Sequence, residues 1–393
     1  MNNFDKTNSV ENNFAKSNPN YLKTMFGATD LMPLWIADMD FEVAEPIQNA
    51  LQKLVKRNIY AYEFNTDAVF KVISDWNVKR NQLHLNPKLF VQVPNVLTGI
   101  GILIRELSKE GDNIMVQTPV YHQFFKLITS AGRKVVNNEL KVVDGRYQMD
   151  YDAIAHKLST LDIKTIVLCN PHNPVGRVWT KEELQKLVNL ANTYGVTIIS
   201  DEIHSDIVYT GSKFNSIASV DASEPHIAVI GSPAKTFGMH SISNGYLYIP
   251  DNPLYQRVTN TVGALYLDHG SILSANATIA AYTKGEVWLD DLLDYLQKTM
   301  VWIIDFVEKE LPSVILYKPE GTYQIWLDFS SLNLSDKALK HLVMEQAKLA
   351  LAPGEWFEPA HTQFMRMNIA SPLSKIQQAF YQLKEAIVVS LQA

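Results

Sequence analysis

The chain has 393 residues, of which 47% are apolar and 19% are charged, and its net charge is −6. This composition is typical of a globular protein and excludes a disordered one. The length exceeds what one compact core accommodates, so we expect two lobes. The mildly acidic balance, with no basic run, favours no nucleic-acid partner.

Cysteine usage and the distribution of apolar residues indicate the compartment. No apolar run approaches the ~20 residues of a membrane-spanning helix, and the first 19 residues lack the apolar segment of a signal peptide. Cys169 is the single cysteine, so an internal disulfide is impossible. We therefore expect a soluble, cytoplasmic protein with no membrane partner.

Taken in chain order, residues 1 to about 30 are predicted to form a polar arm, followed by two amphipathic helices at 46–55 and 68–77. From residue 90 onward, strands and helices alternate, which predicts a mostly parallel sheet between helices. The predicted strands are 90–93, 113–118, 134–140, 165–170, 196–200 and 227–230. One predicted helix of this part follows Gly99 and runs through Glu110. The others span 121–131 and 180–194, the last beginning with a capping box of Thr180 and Glu183.

The pattern changes after residue 274, where long helices at 275–309 precede a mixed region. That region contains predicted strands at 314–317, 323–329 and 364–369, with helices at 335–348 and 374–391. We therefore predict a large α/β domain at residues 49–285 and a smaller α+β domain at 286–393. Residues 1–48 are predicted to form the arm and a segment that joins the small domain.

The stretch from Ser232 to Gly238 surrounds Lys235 with small residues, directly after the apolar strand at 227–230. Such clearance leaves room for a flat ring against the backbone. Burial would lower the pKa of the Lys235 amine and make it a nucleophile and a base. The stretch is also compatible with a surface lysine in a strand-to-loop turn.

Polar side chains follow several predicted parallel strands, whose carboxyl ends form one edge of the sheet. Asn173 follows the strand at 165–170, Asp201 and His204 follow the strand at 196–200, and Ser232 with Lys235 follows the strand at 227–230. The strand-to-helix turn at 95–97 offers free backbone N–H groups at a helix N-terminus, which favours a phosphate.

One cofactor, pyridoxal 5′-phosphate, needs this whole set of groups. It requires an imine-forming lysine, a carboxylate at the ring nitrogen, a donor to the ring oxygen, a phosphate site and an aromatic side chain against the ring. The candidates, in that order, are Lys235, Asp201, Asn173, the turn of Asn95, Val96 and Leu97 with Ser232, and Tyr121. His204 is added to the cofactor contacts from the same edge.

Each of these residues has another interpretation when taken alone. Asp201 is compatible with a helix cap, Asn173 with a turn before Pro174, and Tyr121 with a core position. The acidic residues and His204 at 201–206 resemble a metal-ligand set. We predict no metal, because alternate residues of a strand-like run face opposite ways.

Seven segments of the chain resemble the fold-type I pyridoxal-phosphate enzymes of the aminotransferase class I/II superfamily. Within it, they are most similar to the bacterial cystathionine β-lyases, or C–S lyases, of the MalY/PatB type. The segments are 34–41, 118–121, 169–176, 200–206, 232–237, 319–323 and 364–370. The resemblance implies a seven-stranded, mostly parallel sheet between helices in the large domain.

The resemblance also implies roles for residues outside the predicted edge. Arg366 would bind the substrate α-carboxylate through a bidentate pair, with Ala37 and Asn173 beside it. Tyr62 would reach the cofactor phosphate of the neighbouring subunit, which implies a homodimer with shared sites. Arg366 is also compatible with a solvated strand position, and Tyr62 with a packed loop aromatic.

Several positions depart from the pattern of the superfamily. Ala61 stands where glycine usually precedes the tyrosine, Ala234 replaces a common serine, and Ser243 replaces a phosphate-binding arginine of many aminotransferases. The loop at 358–363 lacks the usual glycines. These differences leave the cofactor prediction in place and leave the substrate open, because loops near Arg366 shape the side-chain pocket.

We predict Lys235, Asp201 and Tyr121 as catalytic residues of a lyase acting on cystathionine or related sulfur amino acids. Lys235 would remove the Cα proton, and loss of the thiol would lead to pyruvate and ammonia. An aminotransferase shares every step up to proton removal, so it remains an alternative. A cofactor-bound regulatory protein is a second alternative.

Overall fold

A computed structural model describes residues 3–6, 13–63, 65–220 and 226–392, without the side chain of Leu391. Its strands are β1 (Met32–Pro33), β2 (Phe90–Val93), β3 (Asn113–Thr118), β4 (Lys134–Glu139), β5 (Lys141–Val143), β6 (Arg146–Gln148), β7 (Ile163–Cys169), β8 (Thr197–Asp201), β9 (Ile227–Gly231), β10 (Gly245–Tyr248), β11 (Ile315–Tyr317), β12 (Gln324–Asp328), β13 (Leu349–Ala350), β14 (Ala352–Pro353) and β15 (Phe364–Asn368).

The α-helices alternate with these strands in the first two thirds of the chain and flank them in the last third. They are α1 (Pro19–Phe26), α2 (Glu45–Arg57), α3 (Thr66–Asn81), α4 (Val96–Leu107), α5 (Gln123–Ser130), α6 (Tyr151–Thr160), α7 (Lys181–Thr193), α8 (Ala234–Phe237), α9 (Asn252–Ala264), α10 (Ile272–Lys284), α11 (Glu286–Glu310), α12 (Asp336–His341) and α13 (Leu373–Gln392).

The large sheet has seven strands in the order β2-β10-β9-β8-β7-β3-β4. Strands β4, β3, β7, β8 and β9 are mutually parallel, whereas β10 runs antiparallel to both β9 and β2. The predicted α/β fold with a mostly parallel seven-stranded sheet is confirmed. The residue patterns did not predict β10, a four-residue strand.

Both faces of this sheet are covered, as the uninterrupted apolar strands require. Within β7, Ile166 and Leu168 belong to one hydrophobic cluster, which also holds the buried stripe of α7. Val167 and Cys169 belong to the other cluster, with α4, α5 and α9. Alternate residues of one strand therefore anchor helices on opposite sides. The predicted capping box of Thr180 and Glu183 is present at the start of α7.

A smaller antiparallel sheet has the strand order β11-β12-β15-β14. Strand β1, from the N-terminal segment, pairs in parallel with β13 next to this sheet, so residues near 32 pack with residues near 350. This pairing favours the predicted joining segment, which stays a prediction together with the domain limits at 48 and 285.

One local prediction was wrong, and two predicted helices are present with different limits or helix type. The polar arm contains helix α1, which buries Leu22 and Phe26 at a helical i, i+4 spacing. The helix predicted at 335–348 is α-helical only to His341 and continues as a π-helical turn at Leu342–Gln346. The helix predicted from 121 begins at Gln123. Within the described parts of the chain, no helix is long and apolar enough to cross a bilayer.

Candidate active site

A cavity of about 570 Å³ opens at the carboxyl ends of the parallel strands. It brings together most of the site residues predicted from the sequence. These are Ala37, Val96, Leu97, Tyr121, Asn173, Asp201, His204, Lys235 and Arg366. The β-sheet topology explains the convergence, because Asn173, Asp201 and Lys235 each follow the end of a neighbouring strand.

Lys235 lies on the four-residue helix α8, directly after β9. Its Nζ donates a hydrogen bond to the carbonyl of Ala37, which also accepts one from the Tyr323 hydroxyl at 3.2 Å. Burial lowers the pKa of the Lys235 amine to about 8, and the charges of Asp38 and Asp201 offset only part of that effect. The amine is therefore far easier to deprotonate than an exposed lysine.

Asp201 is the last residue of β8 and is 4% exposed. Its Oδ1 accepts a hydrogen bond from the backbone N–H of Ile203 at 3.1 Å. Burial raises the pKa of the Asp201 carboxyl to about 7, although that hydrogen bond and the charge of Lys235 oppose the rise. A cationic group in the cavity would stabilise the charged form of Asp201.

Arg366 lies on β15 and is 3% exposed. Its Nη1 donates to Oδ1 of Asn173 at 3.2 Å, its Nη2 donates to the carbonyl of Trp35, and the guanidinium lies 4.9 Å from the ring centroid of Phe357. The Nε atom is buried without a hydrogen-bond partner, and burial lowers the pKa of Arg366 to about 10.

Among the described residues, no carboxylate lies within ion-pair distance of Arg366. Uncompensated buried charges are costly, so proteins pair them. A buried arginine with an unused donor, facing a cavity, can therefore pair with an anion such as a carboxylate.

Two further predicted residues, Tyr121 and His204, lie in the same cavity. Burial raises the pKa of the Tyr121 hydroxyl, and the Tyr121 ring contacts His122 and Phe124 edge-on. Burial lowers the pKa of His204 well below its usual value, so its imidazole is neutral. The His204 ring packs against Tyr323 at 5.7 Å, and its Nδ1 has no hydrogen-bond partner.

The predicted phosphate turn forms the N-terminus of α4. Asn95 is the N-cap, and its side chain accepts a hydrogen bond from the Thr98 N–H at 2.8 Å. The two following residues, Val96 and Leu97, line the cavity. Their backbone N–H groups belong to the first helical turn, which has no intrahelical acceptors for them. The turn therefore presents donors and a positive helix end to the cavity.

Besides the cap residue Asn95, two predicted cofactor contacts do not line this cavity. The hydroxyl of Ser232 donates to the carbonyl of Asn244 at 2.8 Å and accepts from the Ala234 N–H at 3.2 Å. Its proton is therefore already engaged. Tyr62 is 93% exposed and does not line the cavity of its own chain. Its predicted role depends on a neighbouring subunit.

The acidic residues at 201–206 have separate partners. Glu202 accepts from the Ser200 hydroxyl at 3.0 Å and from the Ile217 N–H at 2.9 Å. Asp206 accepts from the Trp76 indole at 2.9 Å and from the Thr236 hydroxyl at 2.8 Å. In the parts of the chain described, no group of three or more potential ligands is arranged for a metal ion.

A family model for the aminotransferases of classes I and II matches residues 29–381. The chain belongs to this family. It is 34% identical over 388 residues to the cystathionine β-lyase PatB of Bacillus subtilis, covering 98% of this chain and 100% of that protein. It is also 31% identical over 380 residues to the protein MalY of Escherichia coli, covering 93% and 94%.

Solved structures of similar proteins share the fold over the whole chain. A PLP-bound protein from Clostridium difficile 630 superposes with a TM-score of 0.95 at 35% identity, covering 98% of this chain and 100% of that one. Cystalysin from Treponema denticola, which contains pyridoxal 5′-phosphate, superposes with a TM-score of 0.93 at 26% identity, covering 99% of both chains.

The residues of this family member fit the cofactor that the fold implies. The cavity offers a buried amine of lowered pKa at Lys235, a buried carboxyl at Asp201 and an amide at Asn173. It also offers the free N–H groups at the start of α4. These donors and acceptors complement an aldehyde, a ring nitrogen, a ring oxygen and a phosphate.

Five residues that line the cavity lie outside both the predicted site and the segments of family resemblance, namely Tyr21, Met25, His122, Gln123 and Trp356. The first two lie on α1, which was expected to be a polar arm, and Trp356 follows the small-domain strand β14. No local motif distinguishes such residues from ordinary core or surface positions. Only the packing of the two ends of the chain beside the large sheet places them here.

Proposed function

We propose that this protein is a pyridoxal-phosphate-dependent carbon–sulfur β-lyase of sulfur amino acids such as cystathionine. The observation that carries the proposal is the meeting of Lys235, Asp201 and Arg366 in one cavity. The 34% identity to a cystathionine β-lyase over nearly the whole chain supports this reaction. The products would be a thiol, pyruvate and ammonia.

When bound, pyridoxal phosphate would withdraw electrons from the substrate Cα, which makes the Cα proton acidic. Lys235 would hold the cofactor and then move that proton. With a pKa of about 8, a useful fraction of its amine is unprotonated near neutral pH. The carbonyl of Ala37 accepts a hydrogen bond from Nζ and fixes where this base lies.

Asp201 would hold a proton at the ring nitrogen, because an ionised carboxylate stabilises an adjacent cation in a buried site. Asn173 would donate to the ring oxygen, with Tyr121 against the ring face and His204 beside it. Val96 and Leu97 would bind the phosphate through backbone N–H groups, with the Asn95 cap fixing their direction.

Arg366 would bind the α-carboxylate of the substrate. Its two terminal nitrogens are fixed by Asn173 and by the carbonyl of Trp35, so the guanidinium is held before the substrate arrives. Its unused Nε and its missing carboxylate partner leave it able to pair with an incoming anion.

The experiment is to incubate the cofactor-loaded protein with cystathionine in the absence of any keto acid. We expect pyruvate and a free thiol in equal amounts. The Lys235→Ala variant should release neither and should lose the visible absorbance of the bound cofactor, whereas exposed Lys88→Ala should behave as wild type. Pyruvate formation by Lys235→Ala at the wild-type rate would refute the role of the lysine.

The same assay separates the lyase from the aminotransferase. The family model is named for aminotransferases, and the two reactions use the same residues up to removal of the Cα proton. Turnover that appears only after a keto acid is added would establish transfer instead. Cofactor binding without turnover of any sulfur amino acid would favour the regulatory alternative.

We also propose a homodimer in which Tyr62 reaches the cofactor phosphate of the neighbouring subunit. Exposed apolar and aromatic side chains at the end of α2 and just beyond it support this, namely Val55, Ile59, Tyr60 and Tyr62. Helix α2 packs along α10, which adds Leu273 to the exposed apolar residues nearby. Such surfaces are typical of protein interfaces.

A cytoplasmic location remains part of the proposal. Cys169 is a free, buried thiol, and nothing in the site depends on an oxidising compartment.

A further inference from the structure

Asn368 is the last residue of β15, two positions after Arg366, and its side chain is 0% exposed. Its Nδ2 donates to the carbonyls of Ile36 and Asp38, both at 2.6 Å. Its Oδ1 accepts from the backbone N–H of Ala370 at 2.9 Å. Both protons of the amide nitrogen are therefore in use, and Asn368 does not line the cavity. Any effect that it has on the site must pass through another residue.

The two carbonyls that Asn368 holds lie directly before and directly after the carbonyl of Ala37 in the chain. Peptide groups are planar, so fixing the peptides on both sides limits the rotation of the peptide between them. That central carbonyl accepts hydrogen bonds from Nζ of Lys235 and, at 3.2 Å, from the hydroxyl of Tyr323. One buried amide therefore fixes the direction of the acceptor that contacts the Lys235 amine.

Backbone hydrogen bonds hold the two ends of this segment independently of the Asn368 side chain. The N–H of Asn368 donates to the carbonyl of Leu34 at 2.8 Å, and the N–H of Asp40 donates to the carbonyl of Ala370 at 2.9 Å. We therefore expect the segment to stay docked when the side chain is shortened, while the peptides around Ala37 lose their partners. All these contacts lie within one chain and do not depend on a neighbouring subunit.

We propose that Asn368 is a positioning residue for proton transfer by Lys235, acting through the carbonyl of Ala37. The proposal rests on the C–S lyase function proposed above, which supplies the reaction. An amine that is not bonded to the cofactor donates to this carbonyl, so the direction of the carbonyl decides where the amine lies before it takes the Cα proton. A displacement of about 1 Å in a reacting group can cost about a hundredfold in rate.

Charged and titratable groups on several elements interact electrostatically with the Lys235 amine: Asp38, Asp201, Arg366, Lys16, His204 and His240. Burial has the largest influence and lowers the pKa of the amine, the two carboxylates raise it, and the two other cations lower it. Both imidazoles are neutral, because burial lowers the pKa of each well below its usual value. Asn368 carries no charge, so replacing it leaves the charge of all six groups as it is.

The first test measures the ionisation of Lys235 in the cofactor-free protein, without turnover. Competitive labelling with acetic anhydride, quantified by mass spectrometry of the peptide that contains Lys235, gives the pH midpoint of the amine. Asn368→Ala should lower this midpoint by roughly one pH unit, because the ammonium form loses a hydrogen-bond acceptor. An unchanged or raised midpoint would overturn the proposal.

Asn138→Ala is the matched control for the loss of a buried amide. Asn138 is also 0% exposed, and its Nδ2 donates to the side chain of Gln117 at 3.1 Å. It lies on β4 at the edge of the large sheet. Its replacement should leave the midpoint of Lys235 unchanged. A shift as large as that of Asn368→Ala would show that any buried amide has this effect, which would count against the proposal.

A second variant does not depend on the folding of Asn368→Ala. Tyr323→Phe keeps the ring and removes the other donor to the Ala37 carbonyl, which then accepts from Lys235 alone. This variant should raise the labelling midpoint, the opposite direction to Asn368→Ala. Added to Asn368→Ala, it should have no further effect, because the carbonyl no longer faces the amine. No shift in Tyr323→Phe would show that the Ala37 carbonyl does not control the amine, and the proposal would fail.

Steady-state kinetics of the cofactor-loaded protein with cystathionine tests the consequence for proton transfer. Asn368→Ala should lower kcat at least about tenfold and change KM little, because Arg366 still binds the substrate carboxylate. Asn138→Ala should keep the wild-type kcat. A rise in KM with kcat unchanged would place the effect of Asn368 on substrate binding instead, and would reject its role in positioning Lys235.

The labelling measurement separates failure of this inference from failure of the proposed function. Shifted midpoints in both variants, with no pyruvate from the wild-type protein, would retain the control of Lys235 by Asn368 and reject the lyase. Pyruvate from the wild-type protein, with the same midpoint in all variants, would retain the lyase and reject the role of Asn368.

Discussion

Arg366 and Asn173 are joined by a hydrogen bond of 3.2 Å, from Nη1 to Oδ1, across 193 positions of sequence. The bond links the antiparallel small sheet to the loop after β7 of the large sheet. Through it, the residue proposed to hold the substrate carboxylate is positioned by the residue proposed to contact the cofactor ring. Substrate and cofactor would therefore be aligned by one contact between the two sheets.

The first prediction concerns the planar shape of the Arg366 guanidinium. Arg366→Lys keeps the charge and removes the planar fork, so we expect kcat/KM to fall about a hundredfold or more, mainly through KM. Steady-state kinetics with cystathionine measures the effect. Arg177→Lys is the matched control, because Arg177 is equally buried and already pairs with Glu183 and Glu320. An unchanged KM in Arg366→Lys would show that Arg366 does not bind the substrate carboxylate.

The second prediction concerns pH and Glu202. Burial raises the pKa of this carboxyl from 4.5 to about 7, so the folded protein favours the protonated form. Because the folded state holds this proton more tightly than the unfolded state, protonation of Glu202 adds to the free energy of unfolding. That contribution is complete below about pH 4.5 and is lost as the pH rises through 7. Glu202→Gln keeps an acceptor for the Ile217 N–H and cannot ionise.

We therefore expect Glu202→Gln to gain stability relative to wild type as the pH rises from 4.5 to 8. The gain should approach about 3 kcal/mol, the free energy equivalent of a shift of this size. Urea unfolding of the cofactor-free protein at several pH values measures it. A difference between the two proteins that stays constant with pH would show that Glu202 does not titrate in this range.

The third prediction concerns Lys16, which is 5% exposed and joins the N-terminal arm to the segment that carries Ala37. Its Nζ lies 2.6 Å from Asp38 and 2.5 Å from Asp40. Lys16→Met would leave two partly buried carboxylates without this partner. We expect a loss of about 3 kcal/mol in the free energy of unfolding.

The contrasting pair is Lys71 and Asp75, which lie 2.5 Å apart on the exposed face of α3. Lys71→Met should leave the free energy of unfolding within experimental error, because exposed pairs contribute little. Equal effects of the two substitutions in urea unfolding would show that burial does not strengthen the Lys16 contacts.

The fourth prediction tests shared sites. Tyr62→Ala and Lys235→Ala should each have very low activity on their own. In a mixed dimer, one site would combine an intact Lys235 with an intact Tyr62 from the other chain. Random mixing should therefore restore about a quarter of wild-type activity, since half of the dimers have one complete site of two. Mixing that restores no activity would argue that each chain carries its own complete site.

Much of the large sheet followed from sequence pattern, because its strands are apolar on both faces and lie between recognisable helices. The capping box at Thr180 could also be predicted from sequence, because its partner Glu183 is only three residues away. Strand β10 was missed because its four residues acquire their strand conformation from neighbours β2 and β9, which lie far apart in the chain.

For the candidate site, local sequence determined which chemical groups follow each strand. The order of those strands in the sheet brings Asn173, Asp201 and Lys235 together. Their meeting could be predicted from the sequence, because the carboxyl ends of parallel strands lie at one edge of an α/β sheet. Tertiary structure alone decided that distant residues such as Tyr21 and Trp356 line the cavity and that Lys235 is buried deeply enough to lower its pKa to about 8. Both arise from burial between segments distant in sequence, and burial depends on contacts that no short stretch of residues contains.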